Sequence, residues 1–410
     1  MLNEHKLRRE IVGEMHLRRW PPILPPLRIV QILRLVPPGT AFDGLPPFRA
    51  GEPAFAAAGS RHMDGLLGGA VAFTWERHSE ATTLTLFAPP DCPLFDEARA
   101  WAEAMDGEVI RATRIDVETT GAAAERRVAE LAADPAELVS CEIGGGARLW
   151  SDFRIKGEGY GRLVVAANAL SPLDLTRAVQ TVQELGNYRN MALLGLPVAR
   201  QCWAQLDAAE EELRGIGEQL DAGEATDNAL LDALCGMSLE VGTIASASRY
   251  RLSATAAYAR LVEERLATLS QVAIPGFASL ADFTQRRFYP AIRTCETVVR
   301  RQQELAERSA QLTSLLRTRI ETRIEDQNGQ LLKSLERAAT TQLRLNHLVE
   351  GLSTVAITYY AVSLLAQMGG GLVLFGLHLD HDILPAVLTG PVFLALYFYL
   401  RRERLRLVGE

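Results

Sequence analysis

Basic charge is in short supply. The 410 residues hold 43 Lys and Arg against 50 Asp and Glu, a formal net charge of −7. No global positive field exists to neutralise phosphates, so nucleic acid is not an expected partner. Cysteine is scarce as well: Cys92, Cys141, Cys202, Cys235 and Cys295 lie far apart, with no C-x-x-C. That excludes a zinc ribbon and a thioredoxin-type pair, and the odd, scattered set reads as reduced thiols in a cytoplasmic compartment. G-x-S-x-G, H-E-x-x-H, a Walker loop and G-x-G-x-x-G are all missing. Gly157-Glu158-Gly159-Tyr160-Gly161-Arg162 is rich in glycine, but no Lys-Ser/Thr comes after it and the next stretch reads as a strand, not a phosphate-binding helix. No catalytic residue and no cofactor is expected, and an enzyme ranks third among the readings. Residues 1–20 are dense in charge, with no apolar run of seven or more behind them, so they do not read as a signal peptide.

What is present is a folded chain. Hydrophobic residues make up 48% and charged residues 23%, and the length suits two to three domains. Prolines at 21, 22, 25, 26, 37, 38, 46 and 47 impose extended or turn geometry early on. Apolar or alternating runs at 27–36, 71–75, 81–87, 109–118, 138–143, 148–155 and 161–169 read as strands, with Gly144-Gly145-Gly146 as a hairpin signal. Residues 91–105 read as a helix with Asp91 as candidate N-cap. The sum is an antiparallel or mixed α+β domain over residues 1–170.

After Ser171-Pro172 the texture turns helical, with Leu175, Val179, Val182, Leu185 and Tyr188 along one face. From Ala291 no proline occurs until Pro385, and a helix from there to about Met368 spans ~115 Å at 1.5 Å per residue. Its second half carries a heptad-like stripe: Ile324, Asn328, Leu331, Leu335, Ala338, Gln342, Leu345, Val349 and Leu352. The stripe suits packing against a second copy or against the chain's own helices. Residues 171–350 are thus read as a helical bundle and stalk.

Two stretches free of formal charge come next, Leu352–Leu377 and Ile383–Leu400. The first is longer than the ~20 apolar residues that cross a bilayer, and the second is at the short end of that length. Arg337 and Arg344 lie on one side of the pair and Arg401, Arg402, Arg404 and Arg406 on the other, while the connector has no Lys or Arg. The positive-inside rule then predicts a two-helix hairpin over residues 351–400 in the lipid bilayer, with a basic cytoplasmic tail over 401–410 and both termini cytoplasmic.

Several stretches carry a resemblance. They are Glu14-Met15-His16 with Pro21-Pro22 and Pro26-Leu27-Arg28; Trp75-Glu76-Arg77-His78-Ser79-Glu80; Ser151-Asp152-Phe153-Arg154 with Gly159-Tyr160-Gly161-Arg162; Tyr188-Arg189 through Leu196-Pro197-Val198-Ala199-Arg200; Arg317-Thr318-Arg319 through Gln327-Asn328; and Val349-Glu350-Gly351-Leu352-Ser353 through Tyr359-Tyr360. Together they closely resemble a bacterial family of uncharacterised membrane-anchored proteins. The resemblance implies anchoring in the inner membrane and brings no activity. A looser, architectural likeness is to CorA-type magnesium channels, which are homopentamers with the first membrane helix lining the pore. Their Gly-Met-Asn motif is absent here; the nearest stretch is Met368-Gly369-Gly370-Gly371.

Three groups are candidate sites. Ser353, Tyr360, Ser363 and Gln367 share one face of the first membrane segment, either as a pore lining or as helix-packing glue. His378, Asp380, His381 and Asp382 in the outer loop suit a divalent cation, or simply an exposed polar turn. Trp75, Glu76, Arg77 and His78, with Asp152 and Arg154, form either a ligand pocket or a salt-bridged strand turn. The expected function is a membrane-anchored, non-enzymatic homo-oligomer with a cytoplasmic sensory or scaffolding domain. The alternative is a CorA-like divalent cation channel or transporter.

Overall fold

The computed structural model describes residues 4–14, 20–37, 44–49, 61–130, 134–223, 225–372 and 383–407. The chain divides into two compact units, Met1–Thr313 and Ser314–Glu410.

The first unit is built on one sheet. Helix α1 (Arg8–Glu14) precedes strands β1 (Leu27–Leu35), β2 (His62–Leu67), β3 (Val71–Arg77) and β4 (Ala81–Ala88). Then come α2 (Phe95–Glu103), β5 (Glu108–Glu118), α3 (Gly121–Glu130), β6 (Val139–Ile143), β7 (Ala147–Ser151) and β8 (Gly161–Ala166). The helical region continues as α4 (Pro172–Leu193), α5 (Gly195–Ala222) and α6 (Asp227–Thr268). A two-residue strand β9 (Val272–Ala273) and a short helix α7 (Leu280–Phe283) lead into a π-turn, Thr284–Phe288. Helix α8 (Tyr289–Leu372) and helix α9 (Ile383–Leu407) complete the order.

The sheet has nine strands in the order β2-β3-β4-β1-β5-β8-β7-β6-β9. Every pairing is antiparallel except β5 with β8, where α3 lies in the crossover between them. The predicted mixed α+β domain is therefore present, and the ninth strand returns from residues 272–273, far along the chain.

Alternation along the strands sorts the side chains into two cores. On one face Val30 and Ile32 join Phe73, Trp75, Leu84, Leu86 and Phe95 beneath α2. On the other, Ile29, Phe87, Ile115, Val117 and Val165 meet Leu175, Val179, Val182 and Leu185 of α4, together with Ala259 and Val262 of α6. The sheet and the helices after residue 170 thus share one core, because the apolar stripe of α4 has only this sheet face to bury against.

Local chemistry sets the element ends. Ser171 caps α4, accepting from the Asp174 N–H, and Pro172 occupies the first turn. Thr226 caps α6 in the same way. Ser279 and Asp282 form a reciprocal capping box on α7, and Gly223 ends α5 in the left-handed region, φ 68°. Asp91 is not a cap: α2 starts at Phe95 after Leu94, since Pro93 holds Cys92 out of helical geometry. The strand expected over 148–155 stops at Ser151 because Phe153 takes φ 51°.

In the second unit the predicted stripe residues Ile324, Leu331, Leu335, Leu345, Val349 and Leu352 are exposed. Buried instead, at intervals of four, are Thr354, Thr358, Val362 and Ala366. Helix α9 carries Pro391 in its interior. Two helical stretches are long and apolar enough to cross a membrane, Asp227–Thr268 and Leu280–Met368. The first is accounted for by packing, since Leu230, Leu234, Met237, Val241, Ile244, Leu252, Ala259 and Val262 form one buried stripe along α6.

Candidate functional site

A cavity of about 330 Å³ opens beneath α4, in the first unit. Sheet geometry explains the space. The β8 ladder starts at Gly161 opposite Thr113, so β5 runs on from Glu108 to Ala112 without a partner on that side. The segment 152–160 crosses the gap, tied by a single bridge between Ile155 and Gly161. Helix α4 roofs the opening, and Leu280, Phe283, Arg287 and Phe288 close one wall.

Arginines dominate the lining. Arg111, Arg154, Arg162, Arg189 and Arg287 all border the cavity, and among the described residues no Asp or Glu does. Two have carboxylate partners: Arg154 with Glu137 at 2.9 Å and Arg162 with Glu158 at 2.6 Å. Among the described residues Arg111 has only neutral acceptors. Its Nη1 donates to Gln31 Oε1 (3.1 Å), Gln183 Oε1 (2.8 Å) and Asn187 Oδ1 (2.9 Å). Burial, then the positive charge of Arg189, pushes its pKa down to about 9. Gly186 makes room for this guanidinium, since a Cβ there would stand 2.7 Å from Arg111 Cζ.

Arg189 is 8% exposed. Its guanidinium packs against both Phe153 (4.6 Å to the ring centroid) and Phe283 (4.9 Å), two rings that stack on each other at 4.6 Å. Among the described residues it makes no salt bridge and no hydrogen bond. Burial pushes its pKa down to about 10, still well above neutral. Gln183 is fully buried, and with its oxygen taken by Arg111 its Nε2 has no acceptor. The cavity therefore presents buried donors and positive charge without the acceptors that such groups require. The φ of 51° at Phe153, which sets one of the two rings against Arg189, is backbone strain held at this site.

The structure separates the residues singled out in the sequence. Trp75 faces the α2 core and is 2% exposed, while Glu76 and His78 line a much smaller pocket on the α4 face, with Nε2 of His78 3.9 Å from Glu76. Asp152 and Arg154 lie past β7, five strand steps or about 24 Å across the sheet from β3. The six do not share one pocket, because the sheet order places β4, β1, β5 and β8 between them. Asp152 bonds Lys156 Nζ at 2.5 Å and the Arg154 N–H at 3.1 Å, bracing the segment 152–160. Glu80, at the end of the same motif, clamps α6: its carboxylate takes Arg251 Nη1 at 3.1 Å and Nη2 at 2.7 Å, and the Tyr250 hydroxyl at 3.2 Å.

On α8, Ser353, Tyr360 and Gln367 are exposed and Ser363 is half-buried. Ser353, Thr354 and Thr358 donate their hydroxyls to the carbonyls of Val349, Glu350 and Thr354, so these groups are satisfied within the helix. His378, Asp380, His381 and Asp382 lie outside the described residues. Among the described residues no three His, Cys, Asp or Glu side chains converge on a metal position.

Arg111, Gln183, Gly186, Asn187, Arg189 and Phe283 were not singled out as a site by the sequence. The available signal was the run Gln183, Gly186, Asn187 and Asn190, a polar stripe at helical spacing beside the apolar one on α4.

Residues 3–407 match a family model described as a protein of unknown function (DUF3422). The chain belongs to this family. The expected family resemblance is thereby shown over nearly the whole length. No curated protein and no solved structure matches the chain, so the looser likeness to CorA channels gains nothing from them.

Proposed function

We propose that this DUF3422 protein is a membrane-anchored, non-enzymatic sensor whose cytoplasmic domain takes up a small molecule beneath α4. The observation that carries the reading is the position of the cavity. Its wall includes Phe283 at the end of α7 and Arg287 and Phe288 of the π-turn from which α8 starts, and α8 runs on into the charge-free span after Leu352. π-turns inside helices are frequent at functional positions, and a change from π- to α-geometry shifts the register of the helix beyond the turn. Occupancy of the cavity thus has a direct route into the helix that enters the bilayer. The span pairs with residues 383–400 as a hairpin, with both termini in the cytoplasm and the protein in the bacterial inner membrane. The exposed stripe from Ile324 to Leu352 joins copies into a homo-oligomer.

A CorA-like divalent cation path is the second reading, supported by the face of Ser353, Tyr360, Ser363 and Gln367 on α8. Two measurements on the full chain separate the readings. The protein in liposomes, with Gln367→Leu as control, passes no magnesium, cobalt or nickel if it is a sensor; flux altered by the substitution makes it a channel. Trypsin cuts near Arg401 and Arg402 in inside-out but not right-side-out vesicles if the hairpin topology holds; the reverse pattern overturns it.

A further inference from the structure

We infer that the ligand of the cavity beneath α4 is a small organic oxyanion, a carboxylate or phosphate, held by Arg189 and Arg111. This deepens the sensory reading and rests on it. The lining offers Arg189 without an acceptor, the orphaned Nε2 of Gln183, and Arg287 at the mouth, which has no salt bridge among the described residues. Each of these groups is a donor. With Arg111 counted, three of the four groups are cationic, and among the described residues no carboxylate borders the space. A neutral ligand leaves the charge of Arg189 uncompensated, and a cation adds to it. An oxyanion compensates the charge of Arg189 through charge-assisted hydrogen bonds. The walls restrict its body as well. Phe153 and Phe283 pack against the Arg189 guanidinium, so the anion reaches it through the N–H groups that the two rings leave open. At about 330 Å³ the space admits a head group with a compact apolar body and excludes a folded polymer.

The alternative role for Arg189 is structural, as a cation packed against two stacked rings. The two roles predict opposite effects on stability. A structural cation loses stability when removed. A ligand-holding cation without a partner is a liability in the empty protein, so Arg189→Gln raises the melting temperature of the ligand-free chain.

The test uses the full chain in detergent micelles. Thermal melting and calorimetry are run with benzoate, with inorganic phosphate and with neutral benzamide, on the wild type, Arg189→Gln and Arg189→Lys. Benzoate or phosphate raises the melting temperature and benzamide does not. Arg189→Gln melts higher when empty and binds the effective anion at least ~10-fold more weakly, as expected for a lost hydrogen bond to a charged group, and Arg189→Lys retains part of the affinity. Whether benzoate or phosphate acts tells a carboxylate from a phosphate head. Benzamide binding as well as benzoate overturns the inference, as does a melting point that falls in Arg189→Gln with anion affinity unchanged. Hydrogen exchange over residues 280–300 separates the two levels. Anion binding that leaves this exchange unchanged keeps the ligand and removes the sensory reading; exchange altered by benzamide alone keeps the sensor and removes the anion.

Discussion

A Cβ on Gly186 would lie 2.7 Å from both Cζ and an Nη of Arg111, so the absence of a side chain at 186 is what lets the guanidinium lie against α4. The guanidinium has no slack, since Gln31, Gln183 and Asn187 hold it from β1 and α4. Gly186→Ala is expected to cost about 1–3 kcal/mol, as overpacking in tight interiors does. Urea unfolding of the variant measures it. An unchanged midpoint would mean that Arg111 swings aside freely and is not fixed as described.

Glu80 and Arg251 form the bidentate clamp between the β3–β4 turn and α6, with the carboxylate 5% and the guanidinium 20% exposed. Removing one member leaves the other buried and unpaired. Glu80→Ala is expected to lose about 3 kcal/mol, and Glu80→Ala with Arg251→Met to recover part of it. The double-mutant cycle reads the coupling directly; additive losses would show that the pair is not coupled.

The thiols separate by environment. Cys235 is exposed, while Cys141, Cys202 and Cys295 are buried. Burial, then the nearby Glu296, pushes the Cys295 thiol up to about 11. Only the thiolate reacts, so iodoacetamide at pH 8 modifies Cys235 first and leaves Cys295 unmodified until unfolding. Mass spectrometry of the timed digest checks this, and early labelling of Cys295 would refute its packing on α8.

Arg189 makes stability depend on alkaline pH. Its folded pKa of about 10 lies below the ordinary guanidinium value, so between the two the unfolded chain binds the extra proton. The penalty of the buried charge is complete below about pH 9 and fades as pH rises through 10. The stability advantage of Arg189→Gln over the wild type should therefore be largest at pH 7–9 and shrink toward pH 11. Tyr258, pushed up to about 12 by burial and then by Glu80, acts in the opposite sense in both proteins and cancels in the difference. A difference that stays flat from pH 7 to 11 would contradict an unpaired Arg189.

Much of the fold was legible because period and punctuation are local. The alternation at 109–118, the Gly144-Gly145-Gly146 hairpin, the Ser171-Pro172 start of α4 and the proline-free run after 291 each set an element that the structure reproduces within a few residues. The charge-free stretch after Leu352 is equally a property of the chain alone, as membership of the family is. Strand order is not local. Only tertiary structure set β4, β1, β5 and β8 between Glu76 and Asp152, and so dissolved the pocket expected there. Only tertiary structure brought Arg111 from a strand, Arg189 from a helix, Phe153 from a loop and Phe283 from the end of α7 into one cavity. The physical reason is that a charge–ring contact or an orphaned donor is defined by its neighbours in space, and a sequence states only neighbours along the chain.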